Sequence, residues 1–367
     1  MPRPASLSVR FLTATTFGLA ALLPCEAGAV EADPWTQLDD QLAEMASQIP
    51  AEDAGLEVSA YIKSSYRRSN EIVYTFDPNT FAPLGDYGGF AIDSIGLSVK
   101  GKVEEFSFKF GYNPNADKLR STYVRWHVTD AARVTMGKFK VPLLRSRLVR
   151  TTRLLFLDRS VQARATGPRE LGLKCEYDFG EVARLYIAIQ DGQDGTLDKR
   201  RTTMRLNANL LDGGVSKYEG AFNAKSRWRS SLGIGYSDDS SLGDGRILAA
   251  DFGLTKSRFS LSAEWLNNGD DLGKYKRGIL DPATFLQRGG TQPLSVAVSW
   301  MLVDDKLEAG ARWQNFDDPN HTEMLTLGLN HYFKGHHAKV QLNWIDVTSD
   351  IAGLESNVIA LGLVLDA

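Results

Sequence analysis

From Leu56 to the C-terminus the chain alternates apolar and polar residues. Val58, Ala60 and Ile62 are set against Ser59, Tyr61 and Lys63. The period of two returns at Phe106–Tyr112, Tyr123–Val128, Leu171–Phe179 and Leu185–Ile189. It continues at Trp228–Tyr236, Phe259–Trp265, Leu294–Trp300 and Leu307–Trp313, then at Leu325–Leu329, Val340–Trp344 and Ile359–Leu365. Weaker members lie near 90–100, 132–141, 200–210 and 246–256. Successive side chains on a strand point to opposite faces, so the pattern predicts about sixteen strands of roughly ten residues.

A soluble sandwich alternates too. Two features separate the cases. The apolar face carries six of the seven tryptophans, Trp126, Trp228, Trp265, Trp300, Trp313 and Trp344, mostly near strand ends. That is where the aromatic girdles of a membrane barrel belong. The connections also differ by side. Gly101-Lys102, Thr129–Ala131, Gly180-Glu181, Lys256–Arg258, Val303–Asp305 and Lys334–His337 are short, whereas 67–89, 141–169, 191–199, 238–245, 267–293, 315–321 and 346–356 are long. Every long one falls on one side, as in an outer-membrane barrel. The connection near 211–226 breaks the rule. Closure would leave no free edge for aggregation. The expected fold is therefore all-β, a transmembrane antiparallel β-barrel over residues 56–367. On it, an arginine replacing Leu327 should impair insertion, and one replacing Thr326 should be tolerated.

The N-terminus changes the compartment. Arg3 and Arg10 precede an apolar run, Phe11–Leu23, too short to span a bilayer as a helix, and Ala27-Gly28-Ala29 offers small residues for cleavage. Residues 1–29 are expected to be a secretory signal. Cys25 could mark a lipoprotein, but Pro24 argues against that processing. Asp33-Pro34 starts a helix, with Trp35, Leu38, Leu42, Met45 and Ile49 spaced by threes and fours until Pro50. Residues 30–55 read as a periplasmic helical segment, either one amphipathic helix or a two-heptad coiled coil, which would need chains already held together. One cysteine, Cys175, follows the signal, so no internal disulfide can form. The net charge of −3 carries no nucleic-acid footprint.

Against that slightly acidic background one stretch is strongly basic. Between Gly137 and Gly172 stand Lys138, Lys140, Arg145, Arg147, Arg150, Arg153, Arg159, Arg164 and Arg169, opposed by Asp158 and Glu170. It lies between two strands and is too long for a hairpin loop. A charge run is usually a solvated surface loop; inside a pore the same run would be an anion-handling constriction. Three segments here, GKFKVP (137–142), FLDRS (156–160) and RELG (169–172), resemble the phosphate-selective porin O/P family. The motif covers Gly137, Lys138, Phe139, Lys140, Pro142, Phe156, Asp158, Arg159, Ser160, Arg169 and Gly172, and the strand pattern extends the likeness over 56–367. The resemblance implies a trimeric, sixteen-stranded anion channel of the bacterial outer membrane, narrowed by a third external loop over about 141–169. The chain departs from it in ending Leu365-Asp366-Ala367, without a terminal aromatic residue.

Arginine matches phosphate with a bidentate fork and lysine does so as a point charge. Arg145, Arg147, Arg150 and Arg153, with Lys138 and Lys140 at the loop base, are the expected constriction. Arg159 and Arg169 are expected to anchor the loop to carboxylates such as Asp158, Glu170 or Glu176. Leu148, Leu154, Leu155 and Phe156 should bury against the wall. Enzyme signatures do not accompany this pattern: there is no G-x-S-x-G elbow, and one thiol cannot build a thiolate zinc site. His336-His337 reads as a solvated pair, and the acidic pairs at Asp270, Asp304 and Asp317 as solvated turns. Neither cofactor nor metal is expected. Three functions remain: a passive porin for small anionic solutes such as phosphate; a general or sugar-type porin, with Glu176, Asp178, Glu264 and Glu308 offsetting the arginines; or a structural barrel tethered by its N-terminal helix. Expected partners are the solutes, outer-membrane lipid and two further copies of the chain.

Overall fold

The alternating segments do form strands, and their opposite faces part into lipid-like and polar surfaces. The computed structural model describes residues 55–69, 88–114, 118–192, 199–240, 245–269, 289–350 and 356–367. The chain divides into two units, Met1–Ala51 and Glu52–Ala367, and every described residue belongs to the second. The expected signal over 1–29 and the expected helix over 34–49 lie outside the described residues.

The strands are β1 (Glu57–Ser69), β2 (Gly88–Val103), β3 (Phe106–Asn113), β4 (Lys118–Leu119), β5 (Thr122–His127) and β6 (Ala132–Lys140). After the basic stretch come β7 (Arg169–Phe179), β8 (Ala183–Gln190), β9 (Arg201–Leu211), β10 (Arg229–Asp239), β11 (Arg246–Lys256) and β12 (Phe259–Asn268). The last five are β13 (Leu294–Val303), β14 (Leu307–Asn315), β15 (Glu323–Tyr332), β16 (Ala338–Thr348) and β17 (Ser356–Asp366). All pairings are antiparallel between chain neighbours, and β1 pairs with β17 from Tyr61↔Asp366 to Ser69↔Val358. That pairing closes the sheet. β4 and β5 both pair with β3 and are two pieces of one span, interrupted at Arg120-Ser121. The result is a closed barrel of sixteen spans.

The outward face is apolar and exposed: Phe106, Val124, Trp126, Leu173, Ile234, Trp300, Leu329 and Leu363 are each about 40% exposed or more. Near the short-turn rim, Trp228, Phe259 and Trp300 follow one another with ring centres 6.3 Å apart. Phe106 and Trp126 stack at 6.2 Å on the same rim. These are girdle residues, whose rings suit the boundary between hydrocarbon and headgroups.

The inward face is polar but only partly wet. Thr326 is 1% exposed, so it faces packed protein rather than an open lumen, and an arginine would not be accommodated there. The correct partner for testing the faces is Ser98, which lines the open part of the interior. Leu327→Arg is expected to cost about 2–4 kcal/mol if the site lies near the bilayer midplane, seen as a loss of heat-modifiable folded barrel. Ser98→Arg should assemble like the parent. Equal loss in both would refute this assignment of faces.

At one rim the connections are 104–105, 128–131, 180–182, 212–228, 257–258, 304–306 and 333–337. All but one are tight turns. The exception, 212–228, is the same connection that breaks the pattern in the sequence, and its residues turn into the barrel. At the other rim the third connection is 141–168, here called L3. It contains two short helices, α1 (Arg145–Leu148) and α2 (Val161–Ala165), and it too lies inside the barrel.

Candidate functional site

L3 leaves the wall at a pair of glycines. Gly137 of β6 faces Gly172 of β7. Gly137 has φ +127°, and a Cβ there would stand 2.6 Å from the Thr122 carbonyl oxygen; at Gly172 it would stand 2.2 Å from that of Ile189. Any side chain would push these strands apart where the loop departs. The glycines of the two motif segments are explained by that close approach.

Inside the lumen the wall grips the backbone of L3. Lys339 Nζ donates to the Leu154 carbonyl at 2.5 Å, Asn330 Nδ2 to that of Leu155 at 2.8 Å, and Gln341 Nε2 to the same oxygen at 2.9 Å. Lys63 donates to the Leu157 carbonyl. In return the Leu157 N–H donates to Asn343 Oδ1 at 2.9 Å, and the Val161 N–H to Gln314 Oε1 at 2.9 Å. Further along, Glu264 accepts from the Ser146 N–H at 2.9 Å and from its hydroxyl at 2.7 Å. A loop buried in a barrel must satisfy its peptide groups with side chains, and these amides, lysines and carboxylates do so.

The apolar residues of L3 fill recesses left by strand glycines. A Cβ at Gly235 would meet Leu143 at 2.9 Å, at Gly310 Leu155 at 3.0 Å, and at Gly328 Phe156 at 2.9 Å. Arg312 lies over the Phe156 ring at 4.6 Å. Val141, Leu143 and Leu144 are fully buried and cluster with Ile247, Ala249 and Leu266. Leu154, Leu155 and Phe156 are buried as expected, while Leu148 is half-buried.

The motif residues have separate tasks. Asp158 receives the Arg67 guanidinium at 2.7 Å, tying L3 to β1. Burial alone would raise this loop carboxyl, but Arg67 and Lys63 outweigh it and hold it well below the usual carboxylate range. That tie therefore persists at a pH where an ordinary aspartate becomes protonated. Arg159 donates to the carbonyls of Ser146 and Val149, the latter at 2.9 Å, so it fastens one limb of L3 to the other, and among the described residues it forms no ion pair with a wall carboxylate. Ser160 caps α2, accepting from the Ala163 N–H at 3.4 Å. Arg169 donates through Nε to Ser121 Oγ at 3.1 Å, again with no carboxylate among the described residues.

L3 crosses the β9–β17 half of the lumen and leaves an opening of about 90 Å³ toward β1–β5. Lys109, Arg120, Lys140, Arg150 and Arg169 line it, among Ser59, Tyr61, Ser98, Thr151 and Thr152. Of the expected constriction residues, Lys140 and Arg150 are here. Arg147 lies nearby: burial first, then Arg159, Arg169 and Arg120, pulls its guanidinium below its ordinary range, to about 9, leaving it charged at neutral pH. Lys138 stands opposite Leu171, with Met136 on the outward face, and does not line the opening. Arg145 and Arg153 point to turn 212–228. Arg145 donates to the carbonyls of Ser216 and Tyr218 at 2.9 and 2.7 Å, and Arg153 covers the Tyr218 ring at 4.7 Å. The sequence reading missed Lys109 and Arg120. Lys109 carries a weak signal, a cation on the polar face of a strand; Arg120 falls between two spans where no periodicity applies.

The acidic residues of the wall are engaged elsewhere. Glu176 meets Arg125 at 3.0 Å and Lys174 at 3.3 Å; Asp178 meets Arg133 at 2.5 Å and also Arg184. Arg201 bridges Glu170 and Asp239 at 2.9 and 2.6 Å. Arg205 forks onto Asp251, at 2.5 and 2.9 Å. Glu308 accepts from Tyr332 and from the Ala221 N–H, both at 2.5 Å. Among the described residues, none of Lys109, Arg120, Lys140, Arg147 and Arg169 forms an ion pair with a carboxylate. Arg150 alone has one within reach, Asp366 at 3.6 Å.

Several solved outer-membrane proteins share this architecture. The anion-selective porin of Comamonas acidovorans shares 12% identity, with 86% of this chain and 100% of that one covered at a TM-score of 0.56. The outer membrane channel DcaP of Acinetobacter baumannii gives 11%, 87%, 99% and 0.55 for the same quantities. A loop-deletion mutant of OmpT, an outer membrane protein of Vibrio cholerae, gives 11%, 86%, 100% and 0.54. At such identities the likeness is one of fold. No curated protein matches in sequence. The family described as phosphate-selective porin O and P matches residues 66–269, which run from the end of β1 through β12 and include the whole of L3. With its closed sixteen-span barrel and its inward third loop, the chain belongs to the phosphate-selective porin O and P family and is an outer-membrane porin.

Proposed function

We propose that this porin is a passive diffusion channel favouring small anions, phosphate among them, and that the basic opening beside L3 is its selectivity element. The observation that carries the reading is the imbalance of charge there: five cations line the opening, and among the described residues the one carboxylate at ion-pair distance from any of them is Asp366, beside Arg150, while Glu57 is taken by Lys100. Low-dielectric walls focus the field of such a cluster, raising local anion concentration. Arg120 and Arg169 are each fixed at one edge, by Ser94 and Ser121, which leaves most of each guanidinium available to an oxyanion. The sugar-type reading needs Glu176, Asp178, Glu264 and Glu308 to offset the arginines of the opening. Their bonds to wall cations, to L3 and to the turn argue against it.

The same reading places residues 1–29 as a signal cleaved during export to the periplasm, residues 34–49 as a periplasmic helix, and the assembled channel as a homotrimer. Deleting residues 34–49 is expected to lower trimer thermal stability while leaving conductance in place; native mass measurement of the full-length protein reads the trimer directly, and a monomer would refute it. Anion preference is tested by single-channel recording in planar bilayers, with a tenfold KCl gradient and then with phosphate replacing chloride. A reversal potential on the anion side supports the proposal. A potential near zero favours the sugar-type porin, and no conductance at all favours a structural barrel.

A further inference from the structure

Turn 212–228 is the one connection at its rim that is not tight, and nothing in a rim connection requires its length. We propose that this turn is a second constriction element, set against L3 from the opposite rim, and that Glu219 is the positioning residue that holds the two together. The proposal rests on the porin channel and not on its anion preference.

Five contacts join the turn to L3. Arg145 donates to the carbonyls of Ser216 and Tyr218, and Arg153 stacks on Tyr218. The Glu219 N–H donates to the Arg153 carbonyl at 3.0 Å, and Glu219 Oε2 accepts from the Leu155 N–H at 3.2 Å. Glu219 thus binds L3 on both sides of Leu154, through its backbone and through its side chain. The tip is then fixed to the wall. Gly220 has φ +88°, and a Cβ there would stand 2.5 Å from Glu308 Oε1, the atom that accepts the Ala221 N–H. Phe222 packs on Tyr332 at 4.5 Å, and Tyr218 stacks on His336 at 4.7 Å.

Together L3 and the turn fill the β11–β14 side of the lumen to a void of about 30 Å³, bordered by Arg145, Glu219, Asp251, Glu264 and Arg312. That is room for about two waters, less than a solute needs. Removing the turn would open this side. It would also release Glu308 Oε1, which accepts the Ala221 N–H, into the new path, where the carboxylate still held by Tyr332 opposes anions. The turn therefore sets both the area of the channel and the side on which solutes pass.

The test compares single-channel conductance and reversal potential of the full-length porin with three variants. In one, Lys217–Asn223 is replaced by two glycines; the others are Glu219→Ala and Glu219→Gln. The shortened turn is expected to raise conductance about twofold and to move the reversal potential toward zero, since the added path lacks the basic ring. Glu219→Ala should shift both in the same direction with added open-channel noise. Glu219→Gln should restore the parent values, because its amide oxygen still accepts the Leu155 N–H. Parent-like conductance in both the shortened and the alanine variants overturns the proposal. If the shortened chain does not assemble, the alanine and glutamine pair decides alone. A parent channel without anion preference counts against the proposed function only, because the conductance comparison does not depend on it.

Discussion

Replacing Arg120, Arg150 and Arg169 together by glutamate is expected to abolish or reverse anion preference while leaving the barrel assembled. All three line the opening, and only Arg150 has a carboxylate in reach. Six units of charge change within one narrow ring, and rings of charge are how pores choose ions. None of the three anchors the turn: Arg120 holds Ser94 and lies over Tyr61, and Arg169 holds Ser121. The contrasting triple, Arg145, Arg147 and Arg150 to glutamate, is the set that the sequence favours. It should weaken selectivity too, but with changed conductance, because Arg145 secures L3 to Ser216 and Tyr218. At molar salt, where the screening length is about 3 Å, both effects should fade. A tenfold KCl gradient separates the outcomes. If the first triple keeps the parent reversal potential, the ring beside L3 is not the selectivity element, and preference must arise elsewhere along the lumen.

The barrel was legible because its physics is local. A period of two, aromatic residues near strand ends and uneven connections all follow from one wall dividing hydrocarbon from water. The exceptions are instructive. Lys138 and Lys140 are two apart and read as equivalent, yet Lys140 turns inward at the strand end to the carbonyls of Arg147 and Val149, while Lys138 stays outside. Arg145 and Arg153 are as basic as Arg150, but the turn captures them, and no pattern in the sequence joins residue 145 to residue 218. The polar face misled as well. Thr326, Asn330, Gln341 and Asn343 alternate like wetted wall residues and are buried, because L3 covers them. Their composition held a hint: amides at period two on adjacent strands suit gripping a buried backbone better than lining water. Gly235, Gly310 and Gly328 carried another, since a strand weakened by glycine needs a reason, here the side chains of L3.

Asp251→Ala is expected to have the largest effect on stability of any single lumenal change. Asp251 is buried and accepts both arms of Arg205, with Gly233 leaving the space that the pair fills. It also accepts the Arg145 N–H at 3.2 Å, at the start of α1. Removing one partner of a buried pair leaves an uncompensated charge and typically costs about 3–5 kcal/mol. Urea unfolding of the barrel in detergent should move by that amount. Replacing both partners, Arg205→Met with Asp251→Leu, removes the stranded charge and should recover most of the loss. It cannot restore the acceptor for the Arg145 N–H, nor the bond from Arg205 to the Leu143 carbonyl at 2.7 Å. The double variant should therefore be stable but loosely gated, with parent-like unfolding and noisy, enlarged conductance. Stability recovered together with a quiet parent-like channel would mean that L3 is held without this pair. In that case the grip of β15 and β16 on Leu154 to Leu157 is sufficient by itself.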